Sequence, residues 1–146
     1  MKPPDVTVAD LALDLTLAAH TSLPVLISAR QDHAMRLAAE IAGNGANGGR
    51  LHAVDAADLA EFIHLLTCEE PAPSHRRRTV VLRDVDTLDC GQQDALTAAV
   101  IARCRAAAPC GWRLITTTSV TLTDPVIAAR FAPRLFYLLN AIHIVA

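Results

Sequence analysis

The sequence predicts an α/β fold, a three-layer sandwich with helices on both faces of a five-stranded parallel sheet. Three observations predict it. Short apolar runs alternate along the chain with stretches of helical periodicity. The runs are continuously apolar, as in strands buried on both faces, instead of alternating with polar residues. Each connection between runs is long enough for the crossover that parallel strands require.

The elements follow in order. Asp5 to His20 alternates at Leu11, Leu13, Leu15 and Leu17, yet Val8, Leu11, Ala12, Leu15, Ala18 and Ala19 also trace a helical stripe. Its alanine content, with Asp5 or Asp10 as caps, favours helix. Pro24-Val25-Leu26-Ile27-Ser28 reads as the first strand. A helix follows with Met35, Ala38, Ala39 and Ala42 near one face, and ends in the turn-forming run from Gly43 to Gly49. Leu51-His52-Ala53-Val54 is a second strand, after which Asp55 is placed to cap a helix carrying Leu59, Ile63 and Leu66. Pro71 and Pro73 interrupt the chain before Thr79-Val80-Val81-Leu82, the third strand. A helix from Gly91 to Ala107 places Leu96, Val100 and Cys104 at i, i+4 and i+8. Trp112–Thr117 is the fourth strand, Pro125–Arg130 and Pro133–Leu139 are short helices, and Ile142–Val145 is the fifth strand. No repeat or linker divides the chain, so residues 1–146 read as one domain.

Composition bounds the function. The chain has 146 residues, is 52% hydrophobic and 19% charged, and carries a net charge of −2, a balance that offers no footprint for a nucleic-acid backbone. No apolar run approaches the ~18–20 residues that cross a bilayer, and Met1-Lys2-Pro3-Pro4 does not open a signal peptide, so a cytoplasmic protein is expected. Cys68, Cys90, Cys104 and Cys110 form no CxxC pair and read as reduced thiols. The six histidines lack ligand spacing, so no metal site is expected. Lys2 is the only lysine, against twelve arginines, which excludes any mechanism that needs a lysine inside the fold.

Taken in sequence, the segments resemble the AAA+ domain of bacterial sigma-54 activators, a P-loop NTPase fold, across residues 10 to 145. Leu23–Ser28 is similar to the strand before that family's Walker A loop, and Leu37–Ile41 to the helix behind it. Leu51–Ala57 resembles its second strand. Thr79-Val80-Val81-Leu82-Arg83-Asp84-Val85 falls at Walker B, with Leu88, Gln93 and Leu96 matching the helix beyond. Arg113–Ser119 resembles the strand ending at the sensor asparagine, and Arg130-Phe131 and Leu135–Asn140 resemble the Arg-Phe-Arg and Tyr-Tyr-Arg-Leu-Asn segments.

The departures fall on the chemistry that the resemblance implies. A Walker A loop needs glycines that let backbone N–H groups close around phosphate, a lysine for the terminal phosphates and a hydroxyl near Mg²⁺. Ser28–Arg36 holds no glycine, puts Met35 at the lysine position and adds Asp32 where phosphate would arrive. Arg83 replaces the Walker B carboxylate, and a guanidinium cannot ligate a metal. Asp84 keeps an acid at the water-orienting position. Ser119 replaces the sensor asparagine, while Ala132 and Leu138 replace two later arginines. Removing one such group costs about 2–4 kcal/mol of transition-state stabilisation, so no ATPase is expected. The Gly-Ala-Phe-Thr-Gly-Ala loop of the family is missing from Asp58–Arg78, and the family's helical lid would lie beyond Ala146.

Three functional readings follow. The first is a non-hydrolysing regulatory or protein-interaction domain in bacterial transcription control or signalling, with another protein or a second copy as partner and no cofactor. The second is a nucleotide-binding protein with a rebuilt phosphate pocket made of Arg30, His33, Arg36 and Asp84, the arginines lying at a helix start where the dipole favours anions. The third is an accessory part of a larger regulator. Arg76-Arg77-Arg78 reads as a solvated charge run, and Asp84 with Asp86 as acids at a strand end.

Overall fold

The computed structural model describes residue 18 and residues 24–44, 51–67, 78–105, 112–120, 122 and 124–146. Five strands, β1 (Val25–Ser28), β2 (Leu51–Asp55), β3 (Arg78–Arg83), β4 (Trp112–Thr118) and β5 (Ile142–Val145), form one parallel sheet in the order β2-β3-β4-β1-β5. The helices are α1 (Gln31–Asn44), α2 (Leu59–Thr67), α3 (Cys90–Arg105), α4 (Pro125–Ala128) and α5 (Pro133–Leu139). The expected α/β fold and its five strands are all present. Of the first expected helix, Asp5 to His20, only Ala18 is described; it is helical and fully buried.

Strand alternation divides the core into two halves. Val25, Ile27, Val81, Ile115 and Ile144 face α1 and pack on Ala34, Leu37, Ala38 and Ile41. Leu26, Val80, Leu82 and Leu114 face the other way, onto Phe62, Leu66, Leu96, Val100, Leu135 and Leu139 of α2, α3 and α5. The chain leaves β1 in one direction across the sheet and returns in the other through β2, β3 and β4. Right-handed crossovers therefore put α1 on one face and α2 and α3 on the opposite one.

Local chemistry sets the boundaries. At the start of α3, Asp89 Oδ1 accepts the Gln92 N–H at 2.8 Å and Gln92 Oε1 accepts the Asp89 N–H at 3.0 Å, a reciprocal capping box. Near the other end of α1, the buried guanidinium of Arg113 reaches from β4 and donates from Nη1 to the Ile41 carbonyl at 3.1 Å. A cation is favoured there, because the carbonyl end of a helix carries partial negative charge.

Three sequence expectations need correction. The buried stripe of α1 is Ala34, Leu37, Ala38, Ile41 and Ala42; Ala39 is exposed and Met35 lies half-buried at the margin. The larger Leu37 and Ile41 turn the helix about its axis relative to an alanine-centred face. Fully buried Phe62 forms the centre of the α2 face, with Ile63 half-buried beside it. Asp55 makes no side-chain cap bond: a 3-10 turn, Ala56–Asp58, intervenes before α2, and the carboxylate turns to Arg83 instead.

Candidate functional site

In open α/β sheets, ligands bind beyond the carboxyl ends of the strands, where neighbouring strands send the chain to opposite faces. Here that place is the C-terminal end of β1 beside β4. Its groups come from the ends of four strands: Ser28 and Ala29 after β1, Asp55 after β2, Arg83 to Asp86 after β3, and Thr118 and Ser119 after β4.

Only Ala29 and Arg30 separate β1 from α1. The Ala29 N–H is already committed to the Thr118 carbonyl at 3.0 Å, and the Ala34 N–H to the Arg30 carbonyl at 2.7 Å. The stretch that would have to wrap a phosphate is thus wound into the first turn of a helix. With no glycine from Ser28 to Arg36, it cannot open into a cradle of converging N–H groups without unwinding that turn.

Arg30 and Arg36 are exposed and His33 is half-buried. Arg36 Nη2 lies 3.8 Å from Asp32 Oδ2 at i, i+4, and both side chains are largely in solvent, a pair of little energetic weight. The Asp32 carboxyl is held below its usual range, first by the His33 backbone N–H, against an opposing desolvation, with Arg30 and Arg36 adding to the lowering. The positive charges of this helix start therefore answer to Asp32.

Asp84 belongs to a different set of neighbours. It sits half-buried at the end of β3 with φ 57° and ψ 48°, the left-handed region that a non-glycine residue rarely adopts. The Thr87 N–H and hydroxyl both bond the Asp84 carbonyl, at 3.0 and 2.7 Å, and fix this turn. Burial pushes the Asp84 carboxyl up, and the negative charges of Asp86 and Asp55 add to the rise while Arg83 opposes it. Arg83 Nε lies 2.8 Å from Asp55 Oδ1 without aiming its N–H there, so the contact is an ion pair more than a hydrogen bond. The Thr118 hydroxyl lies 2.9 Å from Asp86 Oδ1 and 3.1 Å from the Val120 carbonyl, and accepts the Val120 N–H at 3.2 Å. No hydrogen bond or ion pair among the described residues joins Asp84 to Arg30, His33 or Arg36.

Met35 lies half-buried in α1 and offers no cation, and the Arg83 guanidinium, which cannot ligate a metal, lies against Asp55 at 2.8 Å. Among the described residues, no group of three or more His, Cys, Asp or Glu side chains is arranged to hold a metal ion. Of the other candidates, the Arg78 side chain and Arg76, Arg77 and His20 lie outside what is described, and His52 pairs with Glu61 on the surface at 3.3 Å.

Two polar links escaped the sequence reading. Ser28 Oγ and His143 Nε2 are 2.7 Å apart across β1 and β5, and the His143 ring also meets Phe136 edge-on with centroids 6.5 Å apart. Buried Gln93 donates from Nε2 to the Leu88 and Arg130 carbonyls at 3.0 and 2.8 Å and accepts the Ala132 N–H at 2.7 Å. A signal for Gln93 was present: it lies three residues before Leu96 and seven before Val100, on the same apolar stripe.

The fold matches solved structures closely enough to classify it. NtrX from Brucella abortus in complex with ATP superposes at a TM-score of 0.70, with 14% identity, over 99% of this chain and 38% of that one. The ADP complex of the same protein gives a TM-score of 0.69 at 15% identity, over 99% of this chain and 37% of the other. The P-loop NTPase domain of a sigma-54 transport activator from E. coli gives 0.68 at 19% identity, covering 94% of both chains. The fold is that of a P-loop NTPase domain. The chain spans a little over a third of the length of NtrX. No protein-family model matches the sequence, and no curated protein matches it. Identities this low carry the P-loop NTPase fold and not its chemistry. No helix among the described residues is long and apolar enough to cross a membrane.

Proposed function

We propose that this chain is a P-loop NTPase-fold domain of the sigma-54 activator type that no longer hydrolyses nucleotide and works through protein contacts, as a regulatory module in bacterial transcription control or signalling. The observation that carries the reading is the two-residue connection between β1 and α1. Phosphate binding on this fold depends on a loop of backbone N–H groups ahead of the helix. Here those residues form the first turn of α1, and the Ala29 N–H bonds the Thr118 carbonyl of β4. Met35 and Arg83 remove the lysine and the metal-organising carboxylate as well. A well-packed sheet that keeps its strand order while its rim is closed by internal bonds is suited to holding surfaces in place.

Thermal unfolding with ATP, ADP and GTP, each with and without Mg²⁺, tests this together with phosphate release. The expected result is no turnover and no shift of the midpoint at millimolar nucleotide. Stabilisation of about 2–3 kcal/mol, the effect of ligand near a hundredfold excess over Kd, would instead favour a rebuilt nucleotide pocket at Arg30 and Arg36. Turnover would overturn the reading altogether.

A further inference from the structure

We propose that the exposed face of α5, formed by Arg134 and Tyr137 with Arg130 just before the helix, docks an acidic segment of a partner protein that also carries an apolar side chain. This rests on the protein-interaction reading above and gives it a surface and a chemistry.

The helix is sharply two-sided. Leu135 and Leu139 are fully buried in the core, whereas Tyr137 is 75% exposed and Pro133 and Arg134 are exposed with it. Arg134 and Tyr137 are three residues apart, so they are neighbours on one side of the helix. The Tyr137 ring is held edge-on to Phe136, with centroids 5.9 Å apart, and Phe136 packs against the core. A large aromatic thus stands in solvent with one ring contact to its neighbour.

Charge selects the partner. Residues 125–146 contain Arg130 and Arg134 and no aspartate or glutamate, although the whole chain carries a net charge of −2. Elsewhere on the described surface, Arg36 meets Asp32 and Arg83 meets Asp55. No ion pair among the described residues involves Arg130 or Arg134. Gln93 holds the Arg130 and Ala132 backbones at 2.8 and 2.7 Å, which fixes the approach to α5 relative to the core. Tyrosine and arginine are the residue types on which interface energy concentrates, and guanidinium groups without an acid among the described residues, on the same segment as an exposed ring, match carboxylates flanking an apolar residue.

The test is selection of a displayed random dodecapeptide library on the full chain, followed by fluorescence anisotropy with the enriched peptides. The expected outcome is a consensus of Asp or Glu around a large apolar residue. Arg134→Glu and Tyr137→Ala should each weaken it about tenfold or more, the effect of losing a central interface residue, while Tyr137→Phe retains most of the affinity. Circular dichroism of each variant confirms that these exposed substitutions leave the fold intact. The proposal is overturned by no enrichment, by a neutral or basic consensus, or by binding that the two variants leave unchanged. Sedimentation of the chain alone covers the remaining occupant: self-association lost in Tyr137→Ala would assign this face to a second copy and overturn it too. Phosphate release measured on the same preparation separates the two readings, since turnover counts against the non-hydrolysing function and failed selection without turnover counts only against this surface.

Discussion

Ser28 and His143 join β1 to β5, its neighbour on the side away from β4, Oγ to Nε2 at 2.7 Å. Burial holds the His143 imidazole below its usual range, so the folded chain keeps the ring neutral where the unfolded chain protonates it. The folded state then binds fewer protons than the unfolded state as pH drops through the ordinary histidine range near 6.5. Stability from this group is complete above that pH and is lost progressively as pH falls towards the folded-state value. Thermal midpoints across that range should decline less steeply in His143→Gln than in the parent chain. An identical slope in both would remove His143 from the account.

Asp84 has the opposite sign. Its folded-state carboxyl is raised by burial, Asp86 and Asp55, so its ionised form is a cost that grows as pH rises from the ordinary carboxyl range through the raised folded-state value and is constant above it. Asp84→Asn keeps a residue that tolerates the left-handed backbone and removes the charge. It should raise the thermal midpoint at pH 7 and do so less in acid. Asp84→Val should lower it at every pH, because a β-branched residue is strained at φ 57°. A stabilised valine variant would show that this conformation is not enforced.

Gln93 ties the start of α3 to the segment leading into α5. Replacing it with leucine leaves the Ala132 N–H and the Arg130 carbonyl without partners, each unmet group costing about 1–3 kcal/mol where it stays out of water. The expected loss in urea unfolding is about 2–4 kcal/mol. A change under half a kcal/mol would mean that water replaces the side chain fully.

Arg113 is buried and donates to the Ile41 carbonyl. Arg113→Ala should cost about 3 kcal/mol in urea unfolding, and Arg113→Lys a large part of that, since an ammonium lacks the reach and planar donor set of the guanidinium. Equal stability of the lysine variant and the parent would point to charge alone.

On the proposed reading, the double variant Met35→Lys with Arg83→Asp supplies the lysine and the carboxylate that the resemblance expects at these positions. It should still release no phosphate from ATP, because α1 still begins at Gln31, with Ala29 bonded to β4. Turnover would mean that side-chain loss was the whole defect.

The sequence alone was enough for the sheet and for the order of its elements. Strands such as Val25–Ser28 and Thr79–Leu82 are apolar on both faces, and that pattern has few uses other than a parallel sheet between helices. What tertiary structure decided was which polar groups meet. The hydroxyl of Ser28 and the ring of His143 are 115 positions apart, and nothing local in either segment encodes the distance between them. The same holds for Arg83 with Asp55 and for Gln93 with Ala132. Asp55 looked like a helix cap by local rules, yet its carboxylate lies against a guanidinium brought alongside by strand pairing. Periodicity records which side of an element is apolar; the partner of a polar group depends on strand order and register, which are fixed only when the whole core packs.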